Sequence, residues 1–138
     1  MDSQGGAASA RTQTLTIETA VDPDAIWELL ADPRHIPAWA PAFADAITGT
    51  ELAGWRAVKD GRPFALRVAH ARAQRTVDYL REIAPGREGG AYLRVLRRPG
   101  GGSVIVMTLP LIPGTDPEKV TATLRAELAA LTRLASTA

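Results

Sequence analysis

The sequence predicts an α+β fold: a curved antiparallel sheet of seven strands, two short helices after the first strand, and one long helix at the C-terminus. Three observations carry that expectation. Polar and apolar residues alternate through Thr12–Thr19, the period of a strand with one face buried. Between Phe43 and Pro110 no helical period appears, only strand-like runs separated by turn signals. Then Val120, Leu124, Leu128, Leu131 and Leu134 recur at spacings of four, four, three and three, forming one apolar helical stripe.

The first strand, TQTLTIET, would turn Leu15 and Ile17 inward and Thr14, Thr16 and Glu18 outward. Asp22 then caps a helix with Pro23 at its first position, and Asp24 favours the positive end of the dipole. Ile26, Trp27, Leu29 and Leu30 supply the buried side, and Asp32-Pro33 ends the helix because the residue before proline leaves the helical region. A second short helical piece carries Ile36 and Trp39 and stops at Pro41. Six strands follow: FADAITGTE, GWRAVKD, PFALRVAHAR, TVDYLREI, AYLRVLRR and SVIVMTLPL. Asp60-Gly61 marks a hairpin turn, APGREGG reads as a loop, and PGGG turns the chain into the last strand. Short connections make these six an antiparallel meander. Asp116-Pro117 opens the final helix with the same cap-then-proline signal.

With 138 residues the chain is long enough for one core, so residues 1–11 read as a flexible leader and 12–138 as a single domain. Sixteen basic against fifteen acidic residues give a formal net charge of +1, with the arginines scattered, so no nucleic-acid partner is expected. There are no cysteines, which excludes disulfides, thiolate metal sites and a cysteine nucleophile. Two histidines, His35 and His70, leave little material for a metal site, and no metal or cofactor is expected. No apolar run reaches the roughly 18 residues of a membrane span, and MDSQGGAASA lacks the basic start and apolar stretch of a signal peptide, so a cytoplasmic location is expected. PGGG lacks the lysine and the following helix of a phosphate loop, and none of Ser3, Ser9, Ser103 and Ser136 sits in a nucleophile elbow. Glu28, Glu118 and Glu127 read as solvated helix faces.

This order of elements, with DPDAIWELLADPRHIPAWAP near the start, YLRVLRRPGGGSVIVMTLPL in the last two strands and the terminal helix, resembles the helix-grip fold of the START/SRPBCC superfamily, which includes polyketide cyclases and dehydrases. The similarity runs from Thr12 to about Ser136. It implies a mostly apolar cavity between sheet and long helix, used by such proteins to bind, carry or cyclise small hydrophobic molecules. The fold alone does not choose among those uses.

Strand alternation proposes the lining. Phe64, Leu66, Val68 and His70 share one face, and Val77, Tyr79, Arg81 and Ile83 share another. Trp55 is assigned to the lining, Trp39 to its entrance and Trp27 to structure, with Leu124 and Leu128 facing it from the helix. His70 and Tyr79 are the acid–base candidates, no catalytic residue being assigned, and Arg81 is a candidate partner for an acidic ligand. Three functions follow: binding of a small hydrophobic (polyketide-, lipid- or aromatic-like) molecule, a cyclase or dehydratase using His70 and Tyr79, or a protein-interaction module without a small ligand. A homodimer is also admitted, with nothing in the chain to set its symmetry.

Overall fold

The computed structural model describes residues 11–137, and the expected leader lies almost wholly outside them. Strand β1 (Thr12–Thr19) buries Leu15 and half-buries Ile17, as its alternation requires. Helix α1 (Pro23–Ala31) starts where the Asp22 carboxylate accepts from the Asp24 N–H at 3.0 Å. It ends at Asp32, whose extended backbone breaks the helix and whose side chain caps a 3₁₀ turn (Pro33–His35) by accepting from the Arg34 N–H at 3.1 Å. Short helix α2 (Ile36–Trp39) follows directly. The prolines thus divide the segment into three short pieces, the first two capped by the Asp22 and Asp32 side chains and the third without a side-chain cap.

Strands β2 (Ala46–Thr50), β3 (Gly54–Lys59), β4 (Arg62–Ala71), β5 (Thr76–Ala84), β6 (Arg87–Arg97) and β7 (Ser103–Pro110) form the meander, and helix α3 (Pro117–Ser136) closes the fold. The sheet order is β1-β7-β6-β5-β4-β3-β2, antiparallel throughout. The first strand therefore pairs with the last, and α1 and α2 carry the chain from one edge of the sheet to the other. Between β3 and β4, Asp60 and Gly61 both hold positive φ (52° and 77°), the conformation of a two-residue hairpin whose twist suits the flanking strands. Ser103 donates its hydroxyl to the Val21 carbonyl at 2.6 Å and ties the start of β7 to the β1–α1 connection.

Two boundaries differ from the sequence reading. Phe43 and Ala44 donate their amides back to the Ala40 carbonyl, so β2 begins only at Ala46. The expected loop APGREGG is mostly strand. Only Pro85 and Gly86 turn, and β6 starts at Arg87 after a register shift that bulges Ile83 out of the ladder between Glu82 and Ala84. Glycines 89 and 90 read as loop, but they serve a close approach between strands. A Cβ built on Gly90 would overlap the Tyr79 carbonyl oxygen of β5.

One buried cluster joins sheet and helices. Leu128, Leu131 and Ala135 from the C-terminal half of α3 lie in it with Leu93, Val95 and Ile105 from the sheet and Ile26 and Leu30 from α1. Among the described residues no helix is long and apolar enough to cross a membrane. Gly90→Ala is expected to cost about 1–3 kcal/mol, because β5 and β6 must separate to admit one methyl group. Chemical denaturation checks it, and an unchanged midpoint would mean that the ladder gives way freely there.

Candidate functional site

A cavity of about 350 Å³ lies under the N-terminal half of α3. Ile36 and Trp39 of α2, with Ala40 and Phe43 beyond it, form one wall. Tyr79 on β5, Ala91 on β6, and Met107 and Leu109 on β7 form the sheet side, while Val120, Leu124 and Glu127 form the roof. The gap has a plain origin. Where the C-terminal half of α3 meets branched side chains, the space is filled. Under its first turns β6 contributes only the small Ala91, and the larger Tyr79, Met107 and Leu109 border the space without filling it. Thr115, Asp116, Lys119 and Thr123 are exposed at the mouth.

Tyr79 is 3% exposed and donates its hydroxyl to the Leu30 carbonyl at 2.5 Å. That carbonyl belongs to the last turn of α1, where no helical amide is left to pair with it. Burial, with the negative field of Asp32 second, pushes the phenol well above its ordinary value. Its proton is already committed, so Tyr79 is a brace between sheet and α1 as well as a wall, and no proton donor at neutral pH. Trp39 is 2% exposed, its ring tilted against Tyr79 with centroids 6.1 Å apart. Its indole N–H is buried without a hydrogen-bond partner.

Glu127 is the group the sequence reading misplaced. Expected on a solvated face, it is 7% exposed and lines the cavity. Desolvation raises its carboxyl to about 7, with no hydrogen bond or neighbouring charge to offset it. The signal was present in the spacing. Leu124, Glu127 and Leu131 recur at three and four, so Glu127 occupies a stripe position, but the glutamate itself argued for solvent.

Of the residues proposed from sequence, Trp39, Tyr79 and Leu124 line the cavity. Leu66, Val77 and Leu128 are buried in the core outside its wall. Val68 is half-buried, and so is Trp55, which has the Arg34 guanidinium 6.0 Å from its ring centroid. Phe64 stands one residue back from the wall, edge-on to Phe43 at 5.6 Å, and the Arg81 guanidinium covers its other side at 3.7 Å. Arg81 thus lies over an aromatic ring, and it does not line the cavity. His70 shares the face of Leu66, but near the end of its strand it lies beside α1 and outside the cavity wall. It is exposed, with Nε2 2.5 Å from a Glu51 carboxylate oxygen and its ring edge-on to Trp27 at 5.7 Å. His70 and Tyr79 do not converge on one point of the cavity, so that acid–base pair has no geometry. Phe43, Ala91, Met107 and Leu109 were not proposed. The alternation Ser103, Ile105, Met107, Leu109 was the available signal for the last two of these. Among the described residues no three acidic, histidine or cysteine side chains group as metal ligands.

A long helix gripped by a curved seven-stranded sheet, with an apolar cavity between them, defines a helix-grip protein. Over residues 11–138 the chain matches the family described as polyketide cyclase / dehydrase and lipid transport, and it belongs to that family. Among solved structures it is similar to a START superfamily protein from Mycobacterium smegmatis, at 16% identity and a TM-score of 0.67, over 93% of this chain and 99% of that one. It is similar also to the Zhui aromatase/cyclase from Streptomyces sp. R1128, at 19% identity and a TM-score of 0.66, over 91% and 93% of the two chains. The di-domain ARO/CYC StfQ from the steffimycin biosynthetic pathway matches at 15% identity and a TM-score of 0.65, over 88% of this chain and 44% of that one. At such identities the likeness is one of fold. A search of curated proteins finds no match.

Two substitutions test this description. Tyr79→Phe leaves the Leu30 carbonyl buried and unpaired, and is expected to cost about 1–3 kcal/mol. A loss below about 0.5 kcal/mol would remove the brace. For Glu127 the folded value, about 7, lies above the ordinary 4.5, so the unfolded chain ionises first as pH rises. Stability therefore falls from about pH 4.5 to pH 7 and stays lowered above that. Glu127→Gln is expected to raise unfolding free energy by about 2–3 kcal/mol at pH 8 and by little at pH 4. An equal effect at both values would contradict the assignment.

Proposed function

We propose that this protein holds a small, largely hydrophobic molecule between its sheet and its C-terminal helix. The observation that carries the reading is the cavity itself: about 350 Å³, walled by Ile36, Trp39, Phe43, Met107, Val120 and Leu124, with one carboxyl set into the roof. That volume lies at the lower end of the range for small-molecule sites, and a mostly apolar lining with few polar groups is their usual character. Membership in a family described by both cyclisation and lipid transport supports the same reading. An interaction module without a ligand has less behind it. Of the exposed large hydrophobics, Tyr92 and Leu96 share one face of β6, each 37% exposed, while Ile83 lies on β5 and Leu52 and Ile112 in two separate loops.

Diphenylhexatriene, an uncharged fluorophore that lights up in apolar surroundings, provides the test. Native protein is expected to raise its emission with a saturable, one-site curve. Leu124→Trp fills the roof and is expected to reduce uptake at least about ten-fold while the protein still melts cooperatively; Ala91→Phe, from the sheet side, should do the same. Uptake that is absent in native protein, or unchanged in both variants, would overturn the reading.

A further inference from the structure

Glu127 is buried, titratable and unused by the fold. It makes none of the ion pairs seen among the described residues, although arginines and lysines are paired over much of the surface. The other titratable groups on the lining are Tyr79 on β5, whose hydroxyl is committed to Leu30, and Asp116 and Lys119 at the exposed mouth of α3. Lys119 precedes Glu127 by eight residues, about 12 Å along the helix axis. The facing residues of α2, β6 and β7 (Ile36, Trp39, Ala91, Met107 and Leu109) carry no charge, and the charged groups of β1 and α1, Glu18, Asp24 and Glu28, pair with Arg98, Arg75 and Arg72 and do not line the cavity. The carboxyl therefore faces a guest with no counter-charge beside it.

We propose that Glu127 is the polar determinant of the cavity: its protonated carboxyl donates to an acceptor oxygen on an uncharged, mostly apolar guest. The inference rests on the ligand-holding reading above and adds to it the chemical class of the guest. A guest that fills the cavity displaces water from the carboxyl and makes the ionised form still less favourable. A neutral carboxyl then offers one O–H donor, which a carbonyl or ether oxygen accepts. A cationic amine is disfavoured by the same lining. Its ammonium carries three N–H donors, of which Glu127 satisfies one or two, and the inner lining's other side-chain oxygen is the Tyr79 hydroxyl, turned to the Leu30 carbonyl. A buried ion pair formed there would at best offset its own desolvation. An anionic guest would meet like charge whenever Glu127 ionises.

The experiment compares two uncharged fluorophores, prodan, a naphthyl ketone, and diphenylhexatriene, a hydrocarbon without oxygen. Prodan affinity for native protein is expected to fall about ten-fold between pH 6 and pH 8, since only the protonated form takes it up. Glu127→Gln keeps a donor but cannot ionise, so prodan should bind with no pH dependence over that interval. Glu127→Leu should weaken prodan several-fold relative to Glu127→Gln and leave diphenylhexatriene at least as tightly bound. Prodan affinity that is flat with pH in native protein, or equal in the Gln and Leu variants, overturns the proposal while diphenylhexatriene uptake keeps the cavity reading intact. Tighter binding of a naphthylmethylammonium at pH 8 than at pH 6 also overturns it, because Glu127 would then act as a carboxylate. If neither fluorophore enters native protein, the cavity reading fails first and this one with it.

Discussion

The structure depends on a mismatch along one helix. In its C-terminal half, α3 lays Leu128, Leu131 and Ala135 into a cluster shared with Leu93, Val95 and Ile105, and that burial fixes the helix against the sheet. Its first three turns roof a space floored by the small Ala91, with Tyr79, Met107 and Leu109 bordering it without closing it. A helix held rigidly at one end cannot collapse onto the other, so space remains. Protein interiors otherwise fill such gaps to near-crystalline density. Here large side chains stand around the small Ala91 as walls and leave the space between them open.

The α1–α2 segment completes the enclosure. Each of its breaks is placed by a proline or a cap, and each break redirects the chain: Asp32 ends one helix and caps the next turn, and Ala40 closes α2. Tyr79 joins this segment to the centre of the sheet by taking the orphan carbonyl of Leu30 as its acceptor. The same ring faces the cavity, so the brace and the wall are one residue. Trp27 makes a parallel connection further along, donating its indole N–H to the Thr76 carbonyl at 3.2 Å with the Arg72 guanidinium stacked on its face. The prolines that start and stop these helical pieces are thus fixed corners, with Trp27 and Trp39 buried between them.

Architecture was legible because it rests on local rules. The caps at Asp22 and Asp116, the Asp60-Gly61 hairpin and the stripe of α3 each depend on residues within a few positions of one another. The site was less legible for two reasons. Period two tells which side chains share a face, but not where along that face the helix stops covering it; Leu66 is buried and His70, on the same side, is exposed beside Glu51. Glu127 was hidden by its own chemistry, since a carboxylate in a stripe is ordinarily at its border. The glycines of β6 misled in the same manner. Gly90 has the look of a loop residue, and its role is seen only once Tyr79 of the neighbouring strand lies against it.

The central claim is that the space between α3 and the sheet is open to a guest in the folded protein. Crystals pressurised with xenon test it without choosing a ligand, because xenon enters apolar voids and scatters strongly. The account predicts xenon density bounded by Trp39, Tyr79, Met107 and Leu124 with the backbone unmoved. A map with no xenon there, and with α3 settled onto Ala91 so that side chains meet across the gap, would contradict it.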